Sequence, residues 1–285
     1  MSDSTARSDS PLARLVSIPT SSEPLDGLFY EPEGGATAGA VLIMHGNCMN
    51  FYSGPARFLP KVLVEQGFAC LAYNRRGHDI LVTPLHRAAS GGAYQLIDEA
   101  REDNRLASQW LANRGFGTPA VIGHSNGGML AVQHVADHPD TPALVLLSAH
   151  KGGLGILPAI SAAGLFAEDK LDERISTAEQ MVAEGRGRDL LLLPNWWHVI
   201  SAGSLIDYSS RLPEMLDVAP QVACPVLYIR GDQESAEIYP AEVFAERQGR
   251  TQVEIIENCN HFYAGRETAV TDLVAPWLRQ TMSQP

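Results

Sequence analysis

The chain has 285 residues, 45% of them hydrophobic, and a formal net charge of −12. That composition supplies a sizeable buried core, and its acidic balance argues against a nucleic-acid groove or an anionic membrane surface, since both need clustered Lys and Arg. The expected partner is a neutral or weakly polar small-molecule substrate, with no nucleic acid and no membrane; a homo-oligomer is compatible with the sequence.

Residues 1–13 are polar and Ser/Asp-rich with no apolar h-region, and are read as a flexible tail. Cys48, Cys70, Cys224 and Cys259 lack C-x-x-C spacing, so neither a zinc ribbon nor a disulfide framework is suggested; no metal or cofactor is expected. No stretch approaches the roughly 18 apolar residues of a membrane span, and a cytoplasmic protein is expected. Leu15 to Ile18 and Leu28 to Tyr30 then read as an antiparallel pair.

Beyond them, short aliphatic runs alternate with helical patterns, which means βα units. The runs are AVLIM (40–44), ACLAY (69–73), PAVI (119–122), ALVLL (143–147), VLYI (226–229) and VEII (253–256). Nearly all-apolar strands of this kind belong in the middle of a parallel sheet covered on both faces. Ile97, Ala100, Ala107, Trp110 and Leu111 fall at helical spacing, as do Val270, Leu273, Val274, Trp277 and Leu278. From about Gly152 to Ala223 no strand-like run appears, a gap far longer than an ordinary crossover. The expected organisation is a core of residues 14–152 and 224–285 with a helical cap inserted at 153–223. Helices are expected around Leu154 to Leu165 and Arg174 to Glu184, followed by an apolar, aromatic stretch from Leu190 to Tyr208.

The local chemistry centres on Gly123-His124-Ser125-Asn126-Gly127-Gly128, placed directly between the strand PAVI and the helical run MLAVQHVA. In a G-x-S-x-G elbow the serine hydroxyl projects from the sheet edge, glycines relieve the crowding of the turn, and the helix N-terminus faces developing negative charge. A serine at its ordinary pKa is a weak nucleophile, so the elbow predicts a base and an acid downstream. His261, just after VEII, supplies the base. The loop after VLYI offers two carboxylates, Asp232 and Glu234, of which one reaches the imidazole.

These motifs resemble the α/β-hydrolase superfamily, whose acid usually stands three residues beyond the glycine that ends this strand. The resemblance therefore implies Glu234 as the triad acid, with Asp232 as the alternative. It also implies that His45-Gly46-Asn47 is the oxyanion loop, with the backbone N–H groups of Asn47 and Asn126 as the donors. Tyr73-Asn74-Arg75-Arg76-Gly77-His78-Asp79 resembles the family's D-x-R-G-x-G loop, departing from it at Asn74 and His78, and is structural there. The resemblance runs from Leu15 to Leu278; the cap and the PVLYIRGD…NCNHFY end are similar to bacterial hydrolases and fungal siderophore esterases. Trp196, Trp197, His198 and Tyr208 form the cap cluster expected nearest the substrate, while His124 and His150 are read as pocket-lining or structural.

The function these features imply is hydrolysis of a small organic ester through an acyl-enzyme. The same machinery serves thioesters, lactones, amides or C–C bonds beside a ketone. A serine at the elbow argues against dehalogenase and epoxide-hydrolase chemistry, which use a carboxylate nucleophile in this fold. A non-catalytic ligand receptor on the same scaffold is the alternative from another class, disfavoured because a receptor has no need of all three triad groups.

Overall fold

The computed structural model describes residues 11–83, 88–194 and 199–283. In chain order its elements are β1 (Ala13–Ile18), β2 (Leu25–Tyr30), β3 (Ala40–Met44), α1 (Pro55–Glu65), β4 (Ala69–Tyr73), α2 (Ile97–Leu111), β5 (Ala120–His124), α3 (Asn126–Asp137) and β6 (Leu144–Leu147). There follow α4 (Ile156–Ala162), α5 (Leu171–Ala183), β7 (Leu190–Leu192), β8 (Val199–Ser201), α6 (Ala202–Arg211), α7 (Met215–Val218), β9 (Val226–Gly231), α8 (Ala241–Gln248), β10 (Thr251–Ile256) and α9 (Glu267–Met282).

Eight strands form one sheet in the order β1-β2-β4-β3-β5-β6-β9-β10. β1, β2 and β4 pair antiparallel in succession, and every pairing from β4 through β10 is parallel. The two-residue period of a strand divides the apolar side chains between two cores. On β3, Ala40, Leu42 and Met44 enter one core with Ile97, Ala107 and Leu130, while Val41 and Ile43 enter the other with Leu59, Leu63 and Val274. Helices α1 and α9 thus cover one face, and α2, α3 and α8 the other. Trp110 and Trp277 both serve as packing residues.

The sequence-based expectations hold for β3 and β4 to the residue; β2 starts at Leu25 rather than Leu28, the bounds of β5, β6 and β9 shift by one or two residues, and three larger points differ. β1 begins at Ala13, inside the segment read as tail. VEII is not a central strand: β10 is the sheet edge with only Ile256 buried, because β9 covers one side alone and charged or polar residues alternate along it. The long insertion is not purely helical either. β7 and β8 form a small antiparallel pair, with Leu190 opposite Ser201 and Leu192 opposite Val199. The Leu run of β7 is too short to register as a strand on its own and gains its hydrogen bonds from β8.

Strand order decides what can meet. β3, β5, β6, β9 and β10 are consecutive neighbours and all parallel, so the loops after them emerge side by side at one edge. Ser125, Ser148, Glu234 and His261 all follow those strands.

Candidate active site

Ser125 stands between β5 and α3 with φ 56° and ψ −122°, a backbone state L-residues seldom adopt. Tight packing sustains it. A Cβ on Gly127 would collide with the carbonyl oxygens of Met44 and His45, so glycine there lets the first turn of α3 lie against the end of β3. That approach sets the Asn47 loop beside the serine. Among the described residues, no acceptor takes the backbone N–H of Asn47 or Asn126.

His261 Nε2 lies 3.0 Å from Ser125 Oγ, and its Nδ1 lies 2.7 Å from Glu234 Oε1. The other carboxylate oxygen, Oε2, accepts the Gly231 N–H at 2.8 Å and the Ser148 hydroxyl at 2.6 Å. Ser148 Oγ is in turn 2.7 Å from the Tyr263 hydroxyl. Asp232 faces elsewhere. Its oxygens accept the N–H groups of Asn258 at 2.9 Å and Cys259 at 3.1 Å, and these backbone hydrogen bonds hold its carboxyl below the usual range. Of the two candidate carboxylates, the geometry brings Glu234 to the imidazole and assigns Asp232 to the loop that carries His261.

The remaining histidines divide by role. His124 Nε2 contacts the His261 carbonyl at 3.0 Å, and burial pushes its pKa down to about 3. His45 is buried and held far below the usual histidine range by desolvation and by the Arg75 charge, while its carbonyl accepts Arg75 Nη2 at 2.7 Å. Asn74, at the departure from the family loop, accepts the Phe51 N–H through Oδ1 at 2.8 Å, so the amide performs a structural task. His78 pairs with Asp79 at 2.8 Å.

A pocket of about 40 Å³ opens at Ser125, lined by Asn47, Asn126, His150, Tyr208, Tyr239 and an aliphatic wall from the insertion, chiefly Ile156, Leu157, Ile160 and Leu212. Tyr208 is thus at the site, and its hydroxyl accepts a hydrogen bond from Gln95 Nε2. Trp196, Trp197 and His198 lie outside the described residues. Sequence reasoning missed Ser148, Tyr263 and Tyr239. The φ of 46° at Ser148 has no sequence signature, whereas Tyr263 stands two residues after His261 in the HFY tripeptide, and that nearness was a signal that could have found it. No group of three or more metal-ligating side chains occurs among the described residues, and no helix of those residues is long and apolar enough to cross a membrane.

Residues 39–170 match the family of the alpha/beta hydrolase fold. No curated protein matches the chain significantly. Among solved structures, Est1E from Butyrivibrio proteoclasticus bound to ferulic acid is similar, with 19% identity and a TM-score of 0.70 over 94% of this chain and 100% of that one. The α/β hydrolase GrgF from Penicillium sp. sh18 shares 15% identity, with a TM-score of 0.69 over 95% of this chain and 99% of that one. A dienelactone hydrolase from Anabaena variabilis ATCC 29413 shares 20% identity, with a TM-score of 0.59 over 95% and 98% respectively.

Proposed function

For a chain with the α/β-hydrolase fold, we propose hydrolysis of a small organic ester through an acyl-enzyme, with Ser125 as nucleophile, His261 as general base and Glu234 as the acid that holds the imidazole. The observation that carries this reading is the continuous chain Ser125 Oγ, His261 Nε2, His261 Nδ1, Glu234 Oε1, with both links at 3.0 Å or less, at the strained turn between β5 and α3.

Ser125 Oγ attacks the carbonyl carbon as its proton passes to His261 Nε2. The oxyanion is held by the backbone N–H groups of Asn47 and Asn126, reinforced by the N-terminus of α3. Collapse expels the alcohol, which takes the proton from His261. Water then attacks the acyl-serine along the same proton path, releasing the carboxylic acid and restoring Ser125. Glu234 orients the imidazole and stabilises its cation without itself taking the proton. The insertion acts as a cap that supplies the aliphatic wall and excludes water from the nucleophile.

That Est1E is described with ferulic acid and another neighbour as a dienelactone hydrolase is consistent with a carboxylic ester or lactone. Labelling with a fluorophosphonate, compared between the native chain and Ser125→Ala, tests the reading. Loss of label in the variant is expected; equal labelling of both, or none of the native chain, would refute it.

A further inference from the structure

Asn47 and Asn126 are 5% and 1% exposed, yet neither the Oδ1 nor the Nδ2 of either side chain has a hydrogen-bond partner among the described residues. The protein's other buried asparagines each use at least one end: Asn50 uses both, Nδ2 on Asp79 and Oδ1 on the Tyr52 N–H, Asn74 uses Oδ1, and Asn104 uses Oδ1 while its Nδ2 has no partner among the described residues. Buried amides are ordinarily satisfied, so four idle amide atoms flanking one serine need an explanation. Both residues line the pocket at Ser125.

We infer that the two carboxamides form a polar subsite for the acyl part of the substrate, so that the preferred acyl group is short and carries an uncharged hydroxyl or carbonyl one or two carbons from the scissile carbonyl. This rests on the reading of Ser125 as the nucleophile and names its substrate class. The position follows from the chain: Asn126 directly follows Ser125, Asn47 lies on the loop set beside it, and both line the pocket at Ser125, so a substituent that pairs with them lies close to the reacting carbon. The chemistry follows from the amide, which both donates and accepts and is matched by a hydroxyl or a carbonyl.

Charge is excluded by the same surroundings. Among the described residues that line the pocket there is no Lys, Arg, Asp or Glu, and burial lowers His150 to about 3 and raises the Tyr208 and Tyr239 phenols, so the lining offers no ion to pair with a charged substituent. Size is limited by Ile156, Leu157, Ile160 and Leu212 in the same lining, which leaves about 40 Å³. A straight aliphatic acyl chain would satisfy that wall while leaving the amides unpaired. A site built to hydrogen-bond a substituent discriminates strongly against the analogue that lacks it.

The test measures kcat/KM on two matched pairs of 4-nitrophenyl esters, propionyl against 2-hydroxypropionyl and butyryl against 3-hydroxybutyryl, each ratio divided by that for hydroxide-catalysed hydrolysis of the same pair. The native chain is expected to favour one hydroxylated ester at least about tenfold after this correction, roughly the worth of one hydrogen bond. Asn47→Leu or Asn126→Leu should bring that ratio toward one, whichever way the absolute rates move. A corrected ratio near one for both pairs in the native chain overturns the inference even if the variants fail to fold, as does a preference that survives in both variants. Fluorophosphonate labelling of the same samples separates the two levels. A labelled, active chain without the preference loses only this inference, whereas an unlabelled and inactive chain loses the serine-hydrolase reading and this inference with it.

Discussion

Glu234 and Asp232 stand two residues apart on one loop, yet only Glu234 reaches His261, at 2.7 Å, while Asp232 accepts backbone N–H groups from Asn258 and Cys259 at 2.9 and 3.1 Å. Replacing each carboxylate by its amide separates their tasks. Glu234→Gln keeps the shape but allows the wrong imidazole tautomer, and is expected to lower kcat by as much as ~10⁴. Asp232→Asn should cost far less in kcat. Steady-state rates on one good ester, with folding checked by thermal melting, decide between them, and a larger loss at Asp232 reverses the assignment.

The Asp232 carboxyl has a second, independent consequence. Its pKa is lowered in the folded chain by the Asn258 and Cys259 N–H groups, so its contribution to stability is present above the unfolded value of about 3.9 and fades as pH falls through the folded one. Asp232→Asn should therefore melt below the native chain near neutrality, and the gap should close in acid below about pH 4. A gap of constant size across that range would place the loss in something other than the charge.

Ser148 donates to Glu234 Oε2 at 2.6 Å and meets the Tyr263 hydroxyl at 2.7 Å. Removing the hydroxyl leaves the Gly231 N–H as the remaining partner of that oxygen, and the carboxylate gains freedom to turn from the imidazole. Ser148→Ala is expected to lower kcat about tenfold, in proportion to one charge-assisted hydrogen bond of about 1.5 kcal/mol, with KM little changed. Tyr263→Phe should add less in the Ser148→Ala background than alone, because both act on one carboxylate. Full additivity in kcat, or a loss confined to KM, contradicts the network.

Most of the sheet was legible because its strands are continuous apolar runs bounded by loops. The approach of His261 to Ser125 was legible because the elbow motif and the late histidine flank such runs. Which carboxylate faces His261 was ambiguous, since the two on one loop differ only in direction, which backbone geometry decides. Ser148 was invisible: its role depends on β6 lying between β5 and β9, a neighbour relation that sequence order conceals. The antiparallel pairing of β7 and β8 escaped for a similar reason, each strand being three residues long and stabilised by the other. The idle amides of Asn47 and Asn126 are likewise a property of packing, because asparagine in sequence reads equally well as a turn former.

Acidification should weaken the fold well before its carboxylates titrate. Burial lowers both His124 and His134 to about 3, and His45 well below its ordinary value, so these rings remain neutral in the folded chain while the unfolded chain protonates them near pH 6.5. The unfolded state then binds more protons, and stability falls as pH drops from about 6.5 toward 3, by up to about 1.4 kcal/mol per pH unit for each such histidine. Urea unfolding at pH 7, 6 and 5 measures the slope. His134, in the last turn of α3 and stacked on His138 just beyond it, provides the control: His134→Phe should reduce the slope by about one proton. A slope unchanged by that substitution would mean that His134 titrates alike in both states.

The aliphatic wall at Ser125 sets acyl size. Leu157 on α4 is 3% exposed and faces a pocket of only about 40 Å³, so a longer acyl chain has to displace it. Leu157→Ala removes that obstruction and should move the preferred chain toward longer acyl groups, raising kcat/KM for hexanoyl over acetyl esters by about tenfold or more, since each added methylene buried in a hydrophobic site is worth roughly 1 kcal/mol. The fold itself should lose stability, by about 2–5 kcal/mol for a buried Leu→Ala change, less if α4 settles into the space. Both numbers come from the same substitution, which makes the outcome informative: a chain that melts lower but keeps its chain-length profile would show that Leu157 packs the insertion without bounding the acyl group. A profile that broadens toward hexanoyl, with the acetyl rate nearly retained, places Leu157 at the far end of the acyl pocket, because truncation there admits longer chains without disturbing the Ser125–His261–Glu234 geometry.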